Sequence, residues 1–111
     1  MKKYSFGNIV LLSFPLANYT GNKKRPALVI LDTGDDDFLA ARITTQLSRG
    51  KHDYEISNWK ESGLLKPSVI RLDKIATIEK SLIFKKLGNL KEIEILEVKR
   101  IFKMICESIE N

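Results

Sequence analysis

The hydrophobic period changes near residue 91, and that change constrains the fold more than any other feature of the sequence. Before it, apolar residues come in short β-branched runs broken by turn formers, with 7–14, 26–32 and 38–43 as three successive strands and Gly34-Asp35-Asp36-Asp37 as the turn before the third. From 91 to 109 the apolar positions follow a helical spacing, with Val98, Ile101, Phe102, Ile105 and Ile109 on one stripe. Strands first and one amphipathic helix last predict a mainly β chain with a C-terminal α-helix, the helix packed on a small, strongly bent antiparallel sheet or partial barrel.

Between these landmarks the signals are weaker. Residues 44–52 are polar and lead to Tyr54-Glu55-Ile56, a short alternating candidate for an edge strand, and residues 58–63 predict one helical turn closed by Gly63. Residues 68–75 alternate, which puts Arg71 and Asp73 on one face of a strand. Gly88-Asn89 separates the final helix from a short preceding turn. The longest connection, residues 15–22, has the composition of an exposed loop, where binding residues are often found. Pro26 is expected at a strand's first residue, so Lys23-Lys24-Arg25 reads as a polar turn at a hairpin mouth.

At 111 residues, 43% of them hydrophobic, the chain is expected to form one domain over 1–111. Nineteen Lys+Arg against fourteen Asp+Glu give a net charge of +5, which favours anionic partners. No apolar run approaches the roughly 18 residues of a membrane span, and residues 1–6 lack a signal peptide's apolar core, so the expected location is cytoplasmic with no membrane contact. The single cysteine, Cys106, rules out an internal disulfide and is expected to be buried and inert in the helix. One cysteine and one histidine do not make a common zinc site, and consecutive Asp35, Asp36 and Asp37 read as turn residues rather than ligands, so no metal and no cofactor is expected. His52, with no partner histidine, reads as peripheral, and Trp59 as a core or interface aromatic with base stacking as the alternative.

The residues fit one metal-free chemistry, cleavage of RNA by its own 2′-hydroxyl, which needs a base, an acid and donors for a charged phosphorane. Arg25, Thr44, Thr45, Arg71 and Asp73 are the candidates: a carboxylate for the hydroxyl proton, guanidinium forks for phosphate oxygens and hydroxyls for further hydrogen bonds. Spacing alone favours plainer readings. Arg71 and Asp73 at a separation of two suit a surface ion pair, Thr44-Thr45 suits a strand end, and Lys23-Lys24-Arg25 suits a solvated turn.

Taken together, Gly7 to Pro15, Lys24-Arg25-Pro26-Ala27-Leu28-Val29-Ile30, and Ala40-Ala41-Arg42-Ile43-Thr44-Thr45 resemble the MazF/PemK toxin family in order and spacing. Pro67 to Ile78 and Leu87-Gly88-Asn89-Leu90 extend the resemblance over nearly the whole chain. It implies a small SH3-like antiparallel β-barrel with a C-terminal helix, a homodimer, a cognate antitoxin and sequence-selective cleavage of single-stranded RNA. It also implies that Arg25, Thr44, Arg71 and Asp73 are catalytic, with Lys23, Lys24, Thr45 and Gln46 binding RNA. Asn8 departs from the acidic residue frequent in the family, and residues 53–67 belong to a less typical variant. CcdB-type gyrase poisons share this fold while acting by protein binding, so a non-catalytic toxin or a degenerate RNA-binding member is the alternative.

Overall fold

The structure is a computed structural model that describes residues 2–15, 21–46 and 50–109. Among the described residues six strands, β1 (Asn8–Pro15), β2 (Asn22–Asp32), β3 (Asp37–Thr44), β4 (Asp53–Glu55), β5 (Val69–Glu79) and β6 (Ile83–Asn89), the last two joined by a 3₁₀ turn (Lys80–Leu82), precede one α-helix, α1 (Glu92–Ile109). They form one antiparallel sheet in the order β4-β5-β3-β2-β1-β6. No helix among the described residues is long and apolar enough to cross a membrane.

Alternation along the strands sends side chains to two faces, and each face buries its own cluster. One holds Ile9, Leu28, Ala41, Ile43, Ile70 and Leu72, covered by Val98 and Ile101 of α1. The other holds Val10, Leu12, Ala27, Val29, Phe38 and Ala40, with Tyr4 and Phe14 packed against it. Phe38 is fully buried, and removing such a side chain from water contributes about 2–3 kcal/mol.

The sheet is open rather than a closed barrel. Its edges are β4 and β6, and among the described residues no ladder joins them. The gap is spanned by the segment after β4. Here Asn58–Gly63 makes the expected helical turn, which ends in a Schellman motif: Leu64 N–H donates to Trp59 O at 3.0 Å, Gly63 N–H to Lys60 O at 3.2 Å, and Gly63 has φ +92°. The turn lays bare backbone on β6. A Cβ at Gly63 would stand 2.8 Å from the carbonyl carbon of Leu87, and one at Gly88 2.5 Å from Ser62 O. Both contacts need glycine.

Several sequence expectations are corrected. Lys23, Lys24 and Arg25 lie within β2, opposite Phe14, Ser13 and Leu12 of β1, and not in a turn. Pro26 is accordingly internal to β2, tolerated because the ladder to β3 starts only at Ala27 and the strand is paired there on one side. The presumed turn before the helix is strand β6, hidden in the sequence by Lys85-Lys86 and formed because β1 offers it an edge. Ile109 is 77% exposed and Cys106 is exposed, because the last turn of α1 runs past the packed surface. Conversely, Glu94 is buried on the helix stripe one turn before Val98. Its Oε1 accepts from Tyr54 Oη at 2.9 Å and from Ser57 N at 2.7 Å, tying α1 to the end of β4. Burial first, then this bond to Glu94, push the Tyr54 phenol well above its ordinary value.

Candidate functional site

The ladder registers decide which polar side chains share a face. Arg42 of β3 pairs with Ala27 of β2 on one side and with Arg71 of β5 on the other, and Arg71 pairs with Asp53 of β4. Arg25 and Thr44 each lie two residues beyond the Ala27–Arg42 pair, so they point to the same side of the sheet. One face thus carries Arg25, Arg42, Thr44, Arg71 and Asp53, contributed by four strands.

A cleft of about 190 Å³ opens on this face, with Leu12, Ala27 and Ala40 at its floor and three cations, Arg25, Arg42 and Lys74, around it. Lys74 reaches it through an irregularity of β5. The ladder runs from Arg42↔Arg71 directly to Ala41↔Ile75, leaving Leu72, Asp73 and Lys74 outside the regular pairing. Leu72 is fully buried, and Asp73 and Lys74 are exposed.

Arg71 and Asp73 do not pair with each other. Arg71 Nε lies 3.6 Å from Asp53 Oδ1, and Asp53 Oδ2 accepts from Gly50 N at 3.1 Å. The 3.6 Å contact exceeds a hydrogen bond, so Arg71 Nε is buried with its donor unsatisfied. Asp73 Oδ2 lies 3.6 Å from His52 Nδ1. Its imidazole is half-buried because residue 52 stands against β5, where Leu72 N donates to His52 O at 3.1 Å.

The other candidates separate. Lys24 and Thr45 line a second cleft of about 480 Å³ with Lys66, Lys85, Leu64 and Leu65, on the sheet's other side by strand alternation. Lys24 Nζ sits 4.7 Å above the Phe84 ring. Lys23 is exposed on β2, and Gln46 N donates to Thr44 Oγ1 at 3.1 Å, so part of the Thr44 hydroxyl's capacity closes the strand end. The expected loop over the site includes residues 16–20, which lie outside the described residues.

The aspartate run serves as a turn. Asp35 Oδ1 accepts from Thr33 Oγ1 at 2.6 Å and from Asp37 N at 3.0 Å, which lowers its pKa, the Thr33 bond first. Asp32 meets Lys80 at 2.7 Å and Tyr4 N at 2.8 Å, and these partners lower its pKa to about 2. Among the described residues, no group of three or more His, Cys, Asp or Glu is arranged to hold a metal.

Arg42, Lys74 and Asp53 share this face or its cleft and were not among the sequence candidates. Arg42 was within reach, since it precedes Thr44 by two on one strand; the others depend on the β4–β5 pairing and the β5 irregularity.

Residues 5–106 match the family model described as PemK-like, MazF-like toxin of type II toxin-antitoxin system. The chain belongs to this toxin family. No curated protein matches this PemK/MazF-family chain in sequence. Among solved structures, it is similar to MazF in the MazE–MazF complex from Deinococcus radiodurans, with TM-score 0.72, 17% identity and coverage of 94% of this chain and 96% of that one. An endoribonuclease in complex with its cognate antitoxin, from a mycobacterial species, gives TM-score 0.71 and 16% identity over 92% of this chain and 93% of that one. The Mycobacterium tuberculosis toxin MazF-mt6 gives 0.65 and 21% over 84% and 91%. At these identities the likeness is one of fold.

Proposed function

We propose that this PemK/MazF-family chain is an endoribonuclease that cuts single-stranded RNA, sequence-selectively and without a metal, by attack of the 2′-hydroxyl on the adjacent phosphorus. The observation that carries the reading is the gathering of Arg25, Arg42, Thr44 and Arg71 on one sheet face, with Asp73 two residues after Arg71 on β5. A module that only binds has no need to set a carboxylate among phosphate-binding groups.

In this reaction Asp73 takes the 2′-hydroxyl proton as the oxygen bonds to phosphorus, and the bond from phosphorus to the 5′-oxygen breaks. Arg25, with Arg42 beside it in the same cleft, meets the charge that develops on the phosphorane oxygens. Arg71 supplies a guanidinium donor on the leaving-oxygen side, and the departing 5′-oxygen takes its proton from water. Thr44 holds the scissile phosphate. Lys23 and Gln46, on the same side as Arg25 and Thr44, continue the track for the rest of the strand, whose unstacked bases are open to edge readout, while Lys24 and Thr45 offer RNA contacts in the second cleft. The products are a 2′,3′-cyclic phosphate and a 5′-hydroxyl. A homodimer, and inhibition by a cognate antitoxin such as the mycobacterial relative has, complete the reading.

The test is to incubate purified protein with a long RNA in EDTA beside Arg25→Ala and Asp73→Ala and to sequence the new ends. Discrete cuts lost in both variants, and lost when the cut-site ribose is replaced by deoxyribose, support the proposal. Cleavage untouched by either substitution refutes the site, and no cleavage by folded protein refutes the activity.

A further inference from the structure

We propose that His52 is a positioning residue that orients the Asp73 carboxylate for proton abstraction, an inference that rests on the endoribonuclease reading above. Two independent contacts lead to it. The backbone fixes the ring's origin, because Leu72 N, from the residue immediately before Asp73, donates to His52 O at 3.1 Å. The side chain then brings Nδ1 to 3.6 Å from Asp73 Oδ2, with the imidazole 16% and the carboxylate 44% exposed.

A carboxylate that exposed, standing in the irregular part of β5, has several rotamers open to it. Any that turns both oxygens to solvent is useless to a 2′-hydroxyl. The 3.6 Å pair is longer than a hydrogen bond in the free protein; when it closes on substrate binding, as catalytic hydrogen bonds do, Nδ1–H directed at Oδ2 selects one rotamer and leaves Oδ1 for the substrate. The arrangement works with the imidazole neutral or charged, provided Nδ1 carries the proton. Of the neighbouring charges, Arg71 on β5 is turned to Asp53 at the start of β4, and Glu94 of α1 accepts from Tyr54 and Ser57 through Oε1. Lys74 lines the cleft beside Arg25 and Arg42.

The test combines kinetics with an activity-independent measurement on intact protein. Nitrogen-15 NMR of the lone imidazole is expected to show Nδ1 carrying the proton in wild type and a different tautomer balance in Asp73→Asn, where the carboxylate partner is gone. On RNA, His52→Ala is expected to lower kcat about tenfold with KM nearly unchanged, a fraction of what a general base contributes. His52→Asn, whose amide N–H falls near the Nδ1 position, is expected to recover most of that loss, with thermal melts confirming that each variant is folded. Wild type that cuts no RNA refutes the endoribonuclease reading and the catalytic role with it. Wild type that cuts, but whose imidazole tautomer is that of Asp73→Asn, or whose kcat survives His52→Ala, or is lost equally in His52→Asn, overturns the role of His52 alone.

Discussion

Alanine at Gly63 tests whether the two ends of the sheet meet through bare backbone. Two costs add at this position: a side chain at φ +92°, about 1–2 kcal/mol, and a Cβ driven into the Leu87 carbonyl, about 1–3 kcal/mol as for overpacking. Alanine's lower unfolded-state entropy returns about 0.5 kcal/mol, so the net loss is about 3 kcal/mol. Two other glycines separate the terms. Gly34 has φ +84° with open space around it, so Gly34→Ala bears the conformational term alone, about 1 kcal/mol. Gly88 has ordinary backbone but meets Ser62 O, so Gly88→Ala bears the steric term less the same entropy return, about 1.5 kcal/mol. With 111 residues and an unfolding entropy of about 2 cal/mol/K per residue, 1 kcal/mol moves Tm by about 4 °C. Melting followed by circular dichroism is therefore expected to fall about 12 °C for Gly63→Ala, about 6 °C for Gly88→Ala and about 4 °C for Gly34→Ala. Since Gly63 and Gly88 serve one contact, the double variant should lose less than both single losses together. Equal shifts for Gly63→Ala and Gly34→Ala would refute the close approach to β6.

Asp32, held by Lys80, has a pKa lowered from 3.8 to about 2, so the stability it contributes is present above the unfolded value and is lost as pH falls through about 2. Acid titration of Asp32→Asn should show lower stability at neutral pH and a shallower decline below pH 4 than wild type. Tyr54, whose phenol is raised, contributes stability that is whole below the ordinary value of 10 and declines as pH rises past it; one phenol should therefore resist ionisation until alkaline unfolding, and Tyr54→Phe should remove that class from an ultraviolet titration. Arg42→Gln is expected to lower RNA cleavage about tenfold with the melt unchanged, the size of one phosphate-charge contact; unchanged cleavage would remove Arg42 from the site. Cys106 should react with a thiol reagent in the native state at nearly the rate of the unfolded chain, which buried cysteines do not.

The candidate site was partly legible. Arg25, Thr44, Arg71 and Asp73 could be named because Arg25-Pro26, Thr44-Thr45 and the Arg71–Asp73 alternation are local patterns. Their partners could not, because partnership depends on what another strand brings opposite. The expected Arg71–Asp73 ion pair dissolves for this reason: β4 and the turn before it interpose Asp53 and His52, each nearer to one member than the two are to each other. Lys23 to Gln46 illustrate the converse, since neighbours in sequence such as Lys24 and Arg25 are sent to opposite sides of the sheet.

By itself the sequence determined what short-range physics controls: the β character of the runs, the final helix with its Val98–Ile105 stripe, and the turn at Gly63, all of which depend on residues within a few positions. The tertiary structure alone decided that β6 exists, that Lys23 to Arg25 are strand and not turn, that the sheet stays open with a backbone contact across its gap, and that Glu94 is inside while Cys106 is out. Each of these is settled by an edge, a register or a packed surface supplied from far along the chain. Such partners have no signature at the residue they act on, and the grouping of Arg25, Arg42, Thr44 and Arg71 is one more result of register.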